Sequence, residues 1–279
     1  MTKYNNENVQ ALVRRLRSEI DAILSNGIQQ KITANVRRDI TDEVAEIKNS
    51  LDQVLRQIDP IKQPESVFDP SEPNIVGRFV ALAMVAQPRK LLSEFDKFYG
   101  AGVYALYYKG DFDIYAPIKN KETPIYVGKA DPAIGTAKTP FEQGDRLSKR
   151  LLDHKRSIEK AKNLSIDDFE CRSLVVQSGW QQAAESYLIR LFNPIWNNEV
   201  GILYGLGKHG DAATTRANKR SPWDTLHPGR SWAGDTSLVD AKSKDEIVAA
   251  LRRHFEAKRS YERLDDVLDD FIKELRQIS

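Results

Sequence analysis

Seven polar side chains in the middle of the chain have types and spacings that could do chemistry together. Tyr104 and Tyr126 each sit in a short β-prone run, Lys129 follows the second of them, Arg150 and His154 stand four positions apart, and Glu185 and Asn197 come later. Phenols and imidazoles exchange protons, a carboxylate can hold a hard cation, and a guanidinium forks onto anionic oxygens. Taken singly, each has an ordinary explanation. Arg150 and His154 at i and i+4 share one helix face, as a solvated pair would. Glu185 suits a surface helix, and the two tyrosines suit any sheet.

The elements that must position these residues can be read from pattern. Residues 103–108 and 125–127 are aromatic-rich and β-prone, joined by a polar loop, which predicts an antiparallel pair. Asp145 is placed to cap a helix running to about residue 162, residues 169–176 read as a third strand, and Ser178 is placed to cap a helix over 181–192 that Pro194 ends. Upstream, residues 75–86 predict a buried helix stopped by Pro88, and Ser93 is placed to cap a short helix ending at Gly100. Residues 201–230 are glycine-rich, basic and aromatic without a period, so a long loop region with short elements is expected. Ser243-Lys244-Asp245-Glu246 has the form of a capping box for a helix through about residue 255, and a last amphipathic helix covers 261–277.

The first part of the chain is different. Apolar residues recur at helical spacing over 9–24 and resume after Asn26-Gly27 as Ile28, Ile32, Val36, Ile40, Val44, Ile47, Leu51, Val54 and Ile58. This narrow stripe resembles a coiled-coil seam, to be covered either by a second subunit or by the body of the same chain. Pro60, Pro64, Pro70 and Pro73 then end the helix. The expected organisation is a helical extension over 1–62, a linker and buried helix over 63–92, a catalytic-sized core over 93–232 and C-terminal helices over 233–279. The fold class is α/β (α+β): a small, mainly antiparallel sheet flanked by helices, with helical extensions at both ends.

Composition narrows the function classes. The chain has 279 residues, 41% hydrophobic and 29% charged, which is ordinary for a globular protein. No apolar run approaches the ~20 residues that cross a bilayer, and MTKYNNENVQ lacks a secretory stretch, so a cytoplasmic protein without membrane partners is expected. Cys171, the only cysteine, sits in an apolar run and reads as an inert core thiol. The net charge of +2 does not announce a nucleic-acid partner, but its distribution is uneven: residues 129–162 hold nine Lys and Arg against five Asp and Glu.

Gly102-Val103-Tyr104 on one predicted strand and Tyr126-Val127-Gly128-Lys129 on the next resemble the two name-giving tripeptides of the GIY-YIG nuclease family. That family carries an Arg on the helix after the second tripeptide, a Glu on the following helix and often an Asn beyond it; Arg150, Glu185 and Asn197 fill those places in order. The resemblance covers about residues 93–232, and valine replaces isoleucine in both tripeptides. Arg150 with His154, Ser221-Pro222-Trp223-Asp224 and His227-Pro228-Gly229-Arg230 look most like the type II restriction endonucleases of the superfamily, which cut GC-rich palindromes. The N-terminal helix lies outside the resemblance.

The resemblance implies Mg2+-dependent hydrolysis of duplex DNA, with Mn2+ able to substitute. Glu185 is then the metal ligand, with water and phosphate oxygens filling the shell. Arg150 stabilises charge on the phosphate. Tyr104 orients and deprotonates the attacking water; since a free phenol has a pKa near ~10, His154 is expected to accept its proton and Lys129 to favour the phenolate. Tyr126 hydrogen-bonds the phosphate or the water, and Asn197 braces the site.

For the grip on double-stranded DNA the candidates are Lys208, His209, Arg216, Lys219, Arg220 and Arg230, with Arg216, Arg220 and Arg230 preferred as guanine readers. Trp223 and Trp232 either stack on DNA or pack under the loop. His209 and His227 lack the spacing of a zinc site, and His254 reads as helix surface. Cutting both strands with one site per chain implies a homodimer, or a homotetramer joined through helices. Two rival readings stay open: a structure-specific repair or mobile-element nuclease with the same site, and a non-catalytic DNA-binding or helical assembly protein.

Overall fold

Residues 102–108 form the centre of the protein because almost every one is apolar or aromatic, a run that only a strand covered on both faces can bury. In the computed structural model, which describes residues 6–26, 34–59, 61, 67–207, 219–235 and 237–276, this segment is β2 (Gly102–Tyr108), buried along its whole length. It pairs antiparallel with β3 (Tyr126–Ala130) on one side and β4 (Phe169–Val175) on the other, and β1 (Lys90–Leu91) adds to β4. The order β1-β4-β2-β3 leaves β3 at an edge.

Period-two alternation divides the side chains of β2 between two cores. On one face Tyr104, Leu106 and Tyr108 pack with Leu147, Leu151 and Ile158 of α5 (Arg146–Glu159) and with Trp196 and Trp223. Leu251 of α8 (Lys244–Ala257) joins this core. On the other face Val103, Ala105 and Tyr107 meet Met84 of α3 (Pro73–Val85), Leu188 of α6 (Gln181–Phe192) and Phe271 of α9 (Leu264–Arg276). Short elements fill the connections: α4 (Pro140–Gln143), α7 (Pro222–Leu226) and a small parallel pair of β5 (Lys219–Arg220) with β6 (Val239–Asp240). The mixed fold of a small antiparallel sheet flanked by helices is as the sequence predicts.

The chain divides into two compact units, Met1–Glu65 and Ser66–Ser279. The first consists of α1 (Asn6–Asn26) and α2 (Ala34–Ile58), in which Leu12, Ile20, Ile23, Val36, Ile40, Val44, Ile47 and Val54 are exposed at helical spacing. Ile28 and Ile32 of the expected stripe lie outside the described residues.

Several local expectations need correction. No helix forms over 93–100. The Leu92 N–H donates to the Phe169 carbonyl (3.0 Å), the Ser148 hydroxyl to the Phe98 carbonyl (2.8 Å) and the Gly100 N–H to the Gly144 carbonyl (2.7 Å). Backbone groups that a helix would pair internally are therefore held by neighbouring elements, and after a turn at Ser93–Glu94 the segment runs on without regular structure. Ser178 does not cap α6; its hydroxyl donates to the Ala137 carbonyl at 2.8 Å. Asp145 occupies the N-cap position of α5 without a side-chain cap bond. The last helix starts at Leu264, because the Tyr261 N–H is held by Thr123 Oγ1 at 2.7 Å and its ring is buried against Phe192. The Ser243–Glu246 capping box forms in both directions.

Candidate active site

The register of β2 and β3 sets Tyr104 opposite Gly128 and Leu106 opposite Tyr126, so both phenols rise from the α5 face of the sheet. A Cβ at position 128 would stand 2.5 Å from the Tyr104 hydroxyl, and one at position 102 would stand 1.9 Å from the Leu174 carbonyl oxygen. The glycines of both tripeptides are thus required by close approach: one lets the Tyr104 ring lie across β3, the other lets β4 reach β2.

On α5, positions 150 and 154 point one turn apart toward those phenols. His154 is 1% exposed, and its Nε2 lies 2.6 Å from the Tyr104 hydroxyl oxygen. Its ring also meets Tyr126 edge-on at 4.9 Å, and the two tyrosine rings are 6.0 Å apart. Burial pushes the Tyr104 pKa well above the usual phenol value, Tyr126 adds to the rise, and the Arg150 guanidinium opposes it. Tyr126 is raised by burial in the same way, again against Arg150. Tyr104 is therefore a neutral phenol beside a buried imidazole, with one guanidinium serving both rings.

The remaining members gather on the outer edge of β3. Asn197, buried, accepts from the Val127 N–H at 2.9 Å and donates to the Val127 carbonyl at 2.8 Å. Its amide supplies what a next strand would supply, and so seals the edge. One step along, the Glu185 carboxyl group from α6 lies in the field of both the backbone N–H and the ammonium of Lys129. Burial raises Glu185 to about 7, opposed by the Lys129 ammonium and reinforced by Glu199. An odd spacing from Tyr126 turns the Lys129 side chain to the opposite face of the strand, where its ammonium pairs with Asp131. The cation bearing on Tyr104 is Arg150, and Lys129 bears on Glu185.

Of these groups Lys129, Arg150 and Glu185 line a cleft of about 480 Å³, together with Asp131, Arg146 and Lys149 among others, while Tyr104, His154 and Asn197 are buried behind its wall. Because β3 is an edge strand, Arg150 from one face and Glu185 from the other reach the same space around it. Among the described residues no cluster of three or more His, Cys, Asp or Glu side chains could hold a metal. A lone half-buried carboxylate opening on a polar cleft still fits Mg2+, which keeps most of its shell as water and phosphate.

The expected DNA contacts fare differently. Lys208, His209 and Arg216 lie outside the described residues. Lys219 is exposed on β5. Arg220 is half-buried and its guanidinium is engaged within the protein: it pairs with Asp240 and donates to the Ala233 and Asp235 carbonyls at 2.8 and 3.1 Å. Arg230 is 4% exposed, forks onto Asp224 at 2.6 and 2.7 Å, and donates to the Gly205 and Leu206 carbonyls at 2.9 Å each. Its guanidinium lies over Trp223 and beside Trp232, so both tryptophans serve packing at this point. Neither Arg220 nor Arg230 presents a free fork to a base edge.

His227 is likewise internal. Burial lowers its pKa to about 3, so it is neutral. Trp196 Nε1–H donates to the Tyr115 oxygen at 2.9 Å; the Tyr115 O–H then donates to His227 Nε2 at 2.5 Å, and His227 Nδ1–H to Asn163 Oδ1 at 3.1 Å. This chain of bonds ties the loops beneath the cleft together. Arg146 and Lys149, which line the cleft, were not singled out from the sequence. The i, i+4 spacing that joins Arg150 to His154 also joins Arg146 to Arg150, and was the signal available.

A family model described as the Eco29kI GIY-YIG domain matches residues 96–255, a span that holds every residue lining the cleft. No curated protein matches the chain.

Proposed function

Because the chain belongs to the Eco29kI GIY-YIG restriction endonuclease family, we propose that it cuts both strands of duplex DNA site-specifically, at a GC-rich palindrome, using one Mg2+ per active site. The observation that carries the catalytic assignment is the 2.6 Å contact between Tyr104 and His154 beside Arg150, in reach of the cleft that Glu185 also lines.

The raised pKa of Tyr104 argues against a standing phenolate and for a relay. The attacking water loses a proton to the Tyr104 oxygen as the Tyr104 proton passes to His154 Nε2. The water oxygen bonds to phosphorus and the bond to the 3′ oxygen breaks. Arg150 holds the charge that develops on the phosphate oxygens with a planar fork that lysine does not offer. Tyr126 orients the phosphate or the water. Glu185, which lines the cleft beside Lys129, would hold Mg2+ or Mn2+; when bound there, the metal would supply positive charge to the leaving oxygen. Asn197 is a positioning residue, acting through Val127.

Among the described residues no helix is long and apolar enough to cross a membrane, and the place of action in this reading is the cytoplasm. The exposed apolar stripes of α1 and α2 support self-association as a homodimer or homotetramer; light scattering that finds a monomer with and without DNA would remove this part. Lys219 and the basic residues at 208, 209 and 216 are the remaining candidates for contacts downstream of the core.

The test is digestion of a sequenced plasmid with Mg2+ followed by mapping of the ends. Discrete fragments with a common end sequence are expected, and Glu185→Ala should cut nothing yet bind duplex DNA within a few-fold of the parent. Preference for nicks or flaps would point to a repair-type nuclease, and complete inertness with Mg2+ and Mn2+ would sink the enzymatic reading.

A further inference from the structure

The cleft contains two cations to which the reaction above gives no task. Arg146 lies one turn before Arg150 on the same face of α5, Lys149 lies one turn after Arg146 on the adjoining side, and all three line the one concavity. Both are exposed. The other charges nearby are matched: Lys129 pairs with Asp131, and Asp153 pairs with Arg156 at 3.0 Å. No ion pair involves Arg146 or Lys149 among the described residues.

Like charges at i, i+4 and i, i+3 on a helix repel, at roughly 0.2–0.5 kcal/mol per pair in isolated helices. Arg146 with Arg150 and Lys149 with Arg146 form such pairs, at the lip of a cleft rather than on an open face. Asp145 and Asp153 stand four positions to either side of Lys149, yet neither forms an ion pair with it among the described residues, and an anion spread along the cleft gains from cations held in this way. One turn of helix rises ~5.4 Å, so the row offers positive charge at successive points along an extended polyanion.

We infer that Arg146 and Lys149 hold the backbone phosphates flanking the scissile one, and so set which phosphate reaches Arg150. This deepens the nuclease reading and rests on it. The two cations act in binding and register; the reacting groups stay as assigned above.

The measurement is binding of a mixed-sequence 30-base-pair duplex without divalent metal, so that no cleavage occurs, over a salt series. Each phosphate contact contributes about 0.9 to the slope of log affinity against log salt. The double variant Arg146→Gln with Lys149→Gln should have a slope smaller by about 1.8, which shrinks the affinity loss between 50 and 200 mM salt by about 12-fold. Lys244→Gln, an exposed cation on α8 away from the cleft, should leave the slope unchanged. With Mg2+ present, the double variant should lose more in KM than in kcat, and its cut position should blur. An unchanged slope, or the same change in Lys244→Gln, overturns the proposal. If the parent protein fails to cut at all, the nuclease reading fails, while the salt slope still decides whether these cations hold phosphate.

Discussion

Replacing Arg230 by Ala separates a structural role from base reading. Asp224, 1% exposed, would lose both guanidinium bonds and remain a buried carboxylate with only the Ser221 hydroxyl as a side-chain partner. Removing one partner of a buried pair costs about 3–5 kcal/mol, because the other charge is left uncompensated. The Gly205 and Leu206 carbonyls would also lose their donor, at about 1–3 kcal/mol for each group left unsatisfied, though these contributions overlap and do not simply add. A loss of at least about 3 kcal/mol is expected against a total stability of the order of 5–15 kcal/mol. Urea unfolding followed by tryptophan fluorescence reads this directly, since Trp223 and Trp232 flank the guanidinium. Adding Asp224→Asn should recover part of the loss, giving a coupling energy well above that of an exposed pair. If Arg230→Ala unfolds within about 0.5 kcal/mol of the parent and cuts at related sites with relaxed base preference, the internal role is refuted and the arginine reads DNA.

Tyr104→Phe keeps the ring packing and removes the relay oxygen, so cleavage should fall by about 10²–10⁴-fold with little change in melting temperature; parental rates would remove Tyr104 from the proton path. Gly128→Ala would drive a methyl group to 2.5 Å from the Tyr104 hydroxyl, and single-turnover cleavage should drop by at least about 10²-fold with a stability loss of about 1–3 kcal/mol. His227 is neutral in the fold, with a pKa lowered to about 3 by burial. The unfolded chain takes up that proton below about pH 6.5, so this stabilisation is complete above that pH and declines as the pH falls, by about 2 kcal/mol at pH 5. Urea midpoints at pH 7 and pH 5 should differ less in His227→Gln than in the parent; an identical pH dependence would contradict the assignment.

The sheet, its flanking helices and the pairing of Tyr104 with His154 were legible because they rest on local patterns: alternation in β2, helical spacing in α5, and an ordered set of residue types. The opposite facing of Tyr126 and Lys129 was also present in the strand period, three residues being an odd step, but proximity in sequence suggested a shared site. The use of Arg230 was not legible in the same way. Its charge gives no sign of whether a buried Asp224 or a phosphate will meet it, and that depends on how 205–206 fold back over α7. The segment 93–100 misled for a related reason: serine before a mixed run fits a helix start, yet long-range backbone partners on β4 and α5 keep it out of a helix.

The amide of Asn197 already occupies the outward N–H and carbonyl of Val127 on the rim of β3. While it stays, an incoming strand, from a second copy or a stray peptide, would have to break both bonds to add along that rim. The side chain that braces the strand beside the cleft therefore also guards that strand against addition.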